Sequence, residues 1–125
     1  MIKLLLVDDQ PAVRIGLAMQ IALERDMGII GEAGDGASAL ALAQVLQPDV
    51  ILMDLRMPGM DGLAAAAALR AIAPDSNVVM LSLYDDAQSR RQASECGCRA
   101  FIGKQEPAEV LLAAIRGTGG RVPLC

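Results

Sequence analysis

The stretch DVILMDLRMPGMDG, residues 49–62, decides the fold class of this chain. Four consecutive apolar residues, Val50 to Met53, run into a carboxylate, Asp54, and a turn-forming MPG follows at residues 57–59. A strand that is apolar at every position, rather than at every second one, is typical of a parallel sheet covered by helices on both faces. The segment therefore predicts a buried parallel strand with an aspartate at its carboxyl end.

Four other apolar runs of strand length lie along the chain, at residues 3–7, 28–33, 78–81 and 100–103. Helical signals separate them: prolines suited to a first turn, an alanine-rich stretch and apolar residues at a spacing of four. The predicted helices cover residues 11–21, 38–47, 63–72, 87–96 and 107–116. Strands that alternate with helices in this way predict an α/β fold, a doubly wound parallel sheet with right-handed crossovers.

Length and composition limit the possible functions. The chain has 125 residues, of which 54% are hydrophobic and 2% aromatic, and its formal net charge is -4. The basic residues are scattered, which argues against a nucleic-acid surface on this chain. No apolar run approaches the roughly 18 residues of a membrane span, and the N-terminus lacks a signal-peptide core, so we expect a cytoplasmic protein without membrane contact.

The cysteine and histidine content excludes further classes. Three cysteines are no disulfide framework, and without any histidine the chain cannot carry a Ser-His or Cys-His catalytic pair. We expect one domain over residues 1–118. The glycine-rich residues 119–125 are predicted to be the start of a linker or a frayed tail.

Polar residues stand at the ends of four of the predicted strands. Asp8 and Asp9 follow the first, Asp54 ends the third, Ser82 follows the fourth and Lys104 the fifth. In an open α/β sheet, ligands bind beyond the carboxyl ends of the strands. Like charges about 4 Å apart repel by roughly 4 kcal/mol at an effective dielectric of 20, so three carboxylates there require cations. Lys104 supplies one, and Mg²⁺ prefers such oxygen ligands. The pattern predicts Mg²⁺-dependent phosphoryl chemistry with an aspartyl nucleophile.

Each of these residues also has a plainer interpretation when it is considered alone. Asp9 would be a helix cap, Asp54 the start of a turn, Ser82 a turn hydroxyl and Lys104 a solvated surface charge. The joint pattern favours a site, because four strand ends each present a residue that phosphate and Mg²⁺ chemistry uses.

The sequence resembles the receiver domains of two-component response regulators over essentially its whole length. The matching segments are LLLVDDQP (4–11), DVILMDLRMPGMDG (49–62), VVMLSLYDD (78–86) and AFIGK (100–104). The resemblance implies the flavodoxin-like (βα)5 receiver fold with strand order 2-1-3-4-5. The segments GIIGEAGDG (28–36), LSLYDD (81–86) and AAIRGTGG (113–120) are most similar to the NarL/LuxR-type subfamily, in which a helix-turn-helix domain follows the receiver.

The resemblance also implies a role for each residue of the predicted site. Asp54 corresponds to the phosphoacceptor. Asp9 corresponds to the carboxylate that binds Mg²⁺ (or Mn²⁺) directly, and Asp8 to its partner, which acts largely through a metal-bound water. Arg56 would offer its backbone carbonyl to the metal. Lys104 would contact the oxygens of the phosphoryl group.

Further roles concern the response to phosphorylation. Ser82 corresponds to the switch hydroxyl and Phe101 to the switch aromatic, although Phe101 is also interpretable as a plain core residue. The side chains of Arg56 and Tyr84 stand at positions that tune phosphoryl lifetime. Many receivers have a proline after the lysine, in a cis peptide; here Gln105 follows, and the isomer of that bond stays open.

The implied function is a signalling switch rather than an enzyme. A histidine kinase or phosphotransfer protein would phosphorylate Asp54, and the domain would catalyse only its own phosphorylation and dephosphorylation. The last two helices and the fifth strand would change, with homodimerisation on phosphorylation, and DNA would be bound by a C-terminal helix-turn-helix outside this chain.

Other functions make different demands on the sequence. A stand-alone receiver would act as a phosphorelay shuttle or a protein-binding module. A Mg²⁺-dependent aspartyl-phosphate phosphatase would carry a second acid two residues after its nucleophile, where this chain has Arg56. A dinucleotide-binding module would need a G-x-G-x-x-G after the first strand, and none follows it.

Overall fold

Strands and helices alternate along residues 1–83 and 86–118, which are the residues that the computed structural model describes. The strands are β1 (Ile2–Val7), β2 (Met27–Ala33), β3 (Val50–Asp54), β4 (Asn77–Ser82) and β5 (Ala100–Gly103). The helices are α1 (Pro11–Ala22), α2 (Gly36–Leu46), α3 (Gly62–Ile72), α4 (Ala87–Glu95) and α5 (Ala108–Thr118). The strands form one parallel sheet in the order β2-β1-β3-β4-β5. The predicted fold class and strand order are confirmed.

Two apolar clusters cover the two faces of the sheet. Successive residues of a strand point to opposite faces, so a strand covered on both sides must be apolar throughout. In β3, Ile51 and Met53 join the cluster under α2, α3 and α4, and Val50 and Leu52 join the cluster under α1 and α5. The continuous apolar runs of the sequence are explained by this packing.

Aspartate caps fix the beginnings of three helices. The side chain of Asp35 accepts a hydrogen bond from the backbone N–H of Ser38 at 2.7 Å, and Asp61 and Asp86 do the same for α3 and α4. Such caps satisfy backbone N–H groups that have no partner inside the helix. Because Asp35 is the cap, α2 begins at Gly36, two residues before the predicted start.

The C-terminal end of α4 agrees with the sequence prediction, and that of α5 does not. Gly97 has φ +96° and follows α4, as predicted, because glycine adopts this left-handed conformation without steric cost. The prediction that α5 stops at Arg116, before Gly117, is wrong. The helix continues to Thr118, whose hydroxyl donates to the carbonyl of Ala114 at 3.0 Å.

Within the described residues every peptide bond is trans, that between Lys104 and Gln105 included.

Gly62, the first residue of α3, is packed against the main chain beside Asp54. A Cβ at position 62 would lie 2.9 Å from the Cα of Leu55 and closer still to the carbonyl oxygen of Asp54. We expect Gly62→Ala to lower the free energy of unfolding by about 1–3 kcal/mol. The added methyl group would clash with the main chain of Asp54 and Leu55, and only a shift of that main chain relieves the clash. Urea denaturation measures the change.

Gly16, inside α1, provides the matched control. A Cβ there would have no heavy atom within 4 Å. Gly16→Ala should therefore raise the free energy of unfolding by about 0.5–1 kcal/mol, the usual advantage of alanine over glycine in a helix. Equal effects of the two substitutions would show that the contact at Gly62 imposes no constraint.

Candidate functional site

Three carboxylates and one ammonium meet at the carboxyl edge of the sheet. Asp8 and Asp9 follow β1, Asp54 ends β3, and one carboxylate oxygen of each lies within 4.8 Å of the others. Lys104, directly after β5, places its Nζ 2.9 Å from Oδ2 of Asp8 and 3.1 Å from Oδ1 of Asp54. The structure thus brings together the acids and the lysine that the strand ends predicted.

Asp8 is held from several sides. Its backbone N–H donates to the carbonyl of Ala33 at 3.1 Å, and its Oδ1 accepts from the N–H of Gln10 at 2.9 Å. Its carbonyl accepts a hydrogen bond from the guanidinium of Arg14, whose Nε lies 3.2 Å from a carboxylate oxygen of Glu32. The loop between β1 and α1 is therefore fixed to β2 and α1, which sets the position of both acids.

Asp54 is only 7% exposed although it lines a cleft. Its Oδ1 accepts from Lys104 and, at 3.4 Å, from the backbone N–H of Arg56. Burial raises the pKa of Asp54 above its ordinary value; the charge of Lys104 opposes this shift and the charge of Asp8 adds to it. Lys104 and the backbone N–H of Arg56 therefore offset only part of the free-energy cost of burying the ionised carboxylate of Asp54.

Lys104 keeps its charge in this setting. Burial of its ammonium tends to lower the pKa, but the hydrogen bond to Asp8 and the charge of Asp54 raise it above the ordinary lysine value. Its side chain is 16% exposed. A fixed cation thus joins the ends of β1 and β3 across the cleft.

The cleft is open to solvent and has a volume of about 620 Å³. Asp9, Asp54, Arg56, Ser82 and Lys104 line it, together with apolar residues of α1 and α5. Ser82 is 1% exposed, and its carbonyl accepts from the backbone N–H of Lys104 at 2.7 Å. A phosphoryl group that approached Asp54 would therefore enter beside Ser82 and the ammonium of Lys104.

Phe101, one of the predicted site residues, does not line this cleft. Phe101 is 8% exposed and packs on the other face of β5, in the cluster under α2, α3 and α4. Tyr84 lies outside the described residues, so its predicted role stays a prediction. Sequence reasoning missed Arg14, although its position, one turn into the helix that follows Asp8 and Asp9, was a signal that its side chain reaches back to them.

The donor set fits Mg²⁺. This ion takes oxygen ligands in octahedral geometry and usually keeps waters beside one or two carboxylates. Both oxygens of Asp8 already accept hydrogen bonds, from Gln10 and Lys104, whereas Asp9 is more accessible to solvent and lines the cleft with Asp54. Asp9 and Asp54 are thus suited to contact a metal directly, and Asp8 to contact it through water.

The fold and the acidic cleft define the receiver class of α/β domains. A family model described as the response regulator receiver domain matches residues 4–116, and the chain belongs to this family. Its members are signalling phosphoacceptors rather than enzymes, and their partners are histidine kinases. The group of Asp8, Asp9 and Asp54 is typical of the receiver Mg²⁺ site.

Similar proteins support the assignment. The chain is 37% identical, over 98% of its length, to the transcriptional regulatory protein LiaR of Bacillus subtilis and covers 58% of that protein. The signal receiver domain of NarL from Mycobacterium tuberculosis superposes with a TM-score of 0.88 at 36% identity, covering 96% of this chain and 98% of that one. For the response regulator domain of CheB from Thermotoga maritima the TM-score is 0.90 at 32% identity, with coverage of 98% and 99%.

These relatives confirm the predicted resemblance to NarL/LuxR-type regulators. The chain spans about half the length of the curated relatives it matches. Among the described residues, no helix has the length and apolar character that crossing a membrane requires.

Proposed function

We propose that Asp54 accepts a phosphoryl group from a phosphohistidine of a histidine kinase or phosphotransfer protein. The observation that carries the proposal is the placement of Asp54: a buried carboxylate on the wall of an open cleft, with Lys104 bridging it to Asp8. Among the described residues, its hydrogen-bonding contacts engage Oδ1, so Oδ2 is the oxygen to attack phosphorus.

The transfer forms one bond and breaks another. A carboxylate oxygen of Asp54 bonds to phosphorus while the bond from phosphorus to the donor nitrogen breaks, and the leaving imidazole takes the electron pair. Lys104 holds an oxygen of the phosphoryl group and offsets its charge. Asp9, Asp54 and the backbone carbonyl of Arg56 would hold Mg²⁺ (or Mn²⁺), with Asp8 acting through water, and the bound ion would supply further charge neutralisation.

The response begins at Ser82. Phosphorylation adds about -1.5 to -2 charge and three acceptor oxygens, to which the Ser82 hydroxyl donates a hydrogen bond. Phe101 acts as the switch aromatic, and the change spreads over the face formed by α4, β5 and α5. The side chains of Arg56 and Tyr84 tune how long the phosphoryl group survives.

The output is the control of transcription. LiaR, a relative in which this chain matches 58% of the length, is a transcriptional regulatory protein. We infer a receiver over residues 1–118, a linker that starts at residues 119–125, and a DNA-binding helix-turn-helix beyond it, with homodimerisation on phosphorylation in the cytoplasm. A stand-alone receiver that acts as a shuttle or binding module is the alternative, and the encoded sequence after Cys125 separates the two.

The test is phosphorylation of the purified chain by acetyl phosphate and Mg²⁺. Intact-mass spectrometry should find one added phosphoryl group on the wild type and none on Asp54→Ala, because the nucleophile is gone. Asp75→Ala, which removes an exposed carboxylate before the start of β4, at the opposite end of that strand from Ser82, should be labelled like the wild type. Labelling that survives Asp54→Ala would overturn the assignment.

A further inference from the structure

We propose that Arg90 is a positioning residue that clamps helix α4 to strand β5, so that α4 follows changes at the cleft. The proposal rests on the proposed function for the signal that it transmits, but the clamp itself is a property of the unphosphorylated chain. Three features of the described residues carry it: the light anchoring of α4, the two contacts of Arg90, and the connection of β5 to the cleft.

Helix α4 has little apolar surface of its own to hold it. Its sequence is AQSRRQASE, and of its side chains only those of Ser89 and Ala93 are buried. Both are small, so their burial contributes little hydrophobic free energy, which scales with the apolar area removed from water. Helices with few buried apolar contacts belong to the parts of a fold that open most readily.

Among the described residues, Arg90 adds two contacts with Phe101 to this weak anchorage. The guanidinium carbon lies 5.0 Å from the centroid of the Phe101 ring, a distance suited to a cation–π interaction. The same guanidinium donates a hydrogen bond to the Phe101 carbonyl at 3.2 Å. One side chain of α4 therefore holds both the ring and the main chain of a β5 residue.

Strand β5 connects this clamp to the cleft. Phe101 pairs with Met80 of β4, Gly103 pairs with Ser82, and Lys104 follows directly. The backbone N–H of Lys104 donates to the Ser82 carbonyl at 2.7 Å. Movement of Lys104 or Ser82 toward a phosphoryl group therefore displaces the short strand whose carbonyl and ring Arg90 holds. With the clamp intact, α4 moves with β5; without it, α4 opens independently.

Phe101 makes the clamp measurable, because it is the only phenylalanine in the chain and its ring signals in an NMR spectrum need no assignment. In the unphosphorylated protein, Arg90→Gln should shift these signals. It should also speed hydrogen exchange of the α4 amides by about threefold to tenfold, the size expected for losing a surface cation–π contact and a charged hydrogen bond. Amides of β1 and β3 should exchange as in the wild type.

Matched variants separate the clamp from a general effect of charge. Arg91→Gln removes the neighbouring exposed arginine and should change neither the Phe101 ring signals nor α4 exchange. In a Phe101→Leu background, Arg90→Gln should speed α4 exchange by less than it does alone, because part of what Arg90 binds is already gone. Identical ring shifts and exchange rates in Arg90→Gln and Arg91→Gln would overturn the proposal.

Transmission is tested with beryllofluoride and Mg²⁺, a stable mimic of the phosphoryl group. The α4 amide signals should move in the wild type and move less in Arg90→Gln, while acetyl phosphate still labels Asp54 in both. If the wild type takes up no phosphoryl group, the proposed function fails, and the clamp is still decided by exchange in the unphosphorylated protein. Equal α4 responses in wild type and Arg90→Gln would refute the transmission step.

Discussion

Lys104→Met should slow phosphorylation of Asp54 by about 10²–10³-fold, the usual cost of losing one preorganised group that stabilises charge in a transition state. Methionine keeps most of the length and apolar stem of lysine but has no ammonium to hold an oxygen of the transferring phosphoryl group. In the structure that ammonium lies 3.1 Å from Oδ1 of Asp54 and 2.9 Å from Oδ2 of Asp8. The rate of labelling by acetyl phosphate at saturating Mg²⁺, followed by intact-mass spectrometry, measures the effect.

The chain offers a matched control for this substitution. Lys3 is its other lysine, and it is exposed near the start of β1, at the opposite end of the strand from the cleft. Lys3→Met should leave the rate of labelling unchanged. Circular dichroism should show that both variants are folded. A rate within threefold of the wild type in folded Lys104→Met would mean that the ammonium takes no part in the transfer.

Asp54→Asn should make the metal-free protein more stable at neutral pH while abolishing phosphorylation. Burial, aided by the charge of Asp8, raises the pKa of Asp54 above its value in the unfolded chain, and Lys104 offsets this only in part. The folded state therefore binds a proton at Asp54 more strongly than the unfolded state does. Stability from this group falls as the pH rises above the unfolded value of 3.8, and the loss is complete above the folded pKa. Asparagine removes this unfavourable contribution.

Urea denaturation between pH 4 and pH 8, in the presence of a chelator, tests this prediction. The advantage of Asp54→Asn should be largest at neutral pH and should shrink as the pH falls and the wild-type carboxyl becomes protonated. Added Mg²⁺ should stabilise the wild type by about 2.7 kcal/mol at a hundred times its dissociation constant. The variant should gain less, because it has lost a carboxylate of the metal site.

An exposed aspartate provides the control here as well. Asp75→Asn, which removes the same charge at the surface, should change neither the pH profile nor the response to Mg²⁺. The interpretation of Asp54 as a buried, partly compensated charge would be wrong if Asp54→Asn were less stable than the wild type at pH 7 without metal.

Much of the fold could be predicted from the sequence, because strands buried on both faces of a sheet are apolar at every position. The strands were recognisable because residues such as Ile51 and Leu52 face opposite clusters and must both be apolar. The acidic cleft followed in turn, because parallel strands end at the same edge of a sheet. The side chains needed there, Asp8, Asp54 and Lys104, come directly after apolar runs.

Features that depend on contacts between residues distant in the sequence could not be predicted from the sequence. The end of α5 was predicted too early because Gly117 was interpreted by its low helix propensity alone. Two contacts stabilise the last turn of the helix: the Thr118 hydroxyl donates to the Ala114 carbonyl, and the Asn77 side chain donates to the Thr118 carbonyl. The clamp of Arg90 on Phe101 joins residues from different elements. An arginine on a polar helix carries no sign of such a contact in the sequence.

The packing of β3 has a consequence for how such domains diverge. Its residues belong to both apolar clusters, and the same strand ends at Asp54. A substitution deep in either cluster therefore shifts the backbone of β3, and with it the position of Asp54. Inherited changes in the core can adjust the behaviour of the acceptor over generations while every residue of the cleft stays the same.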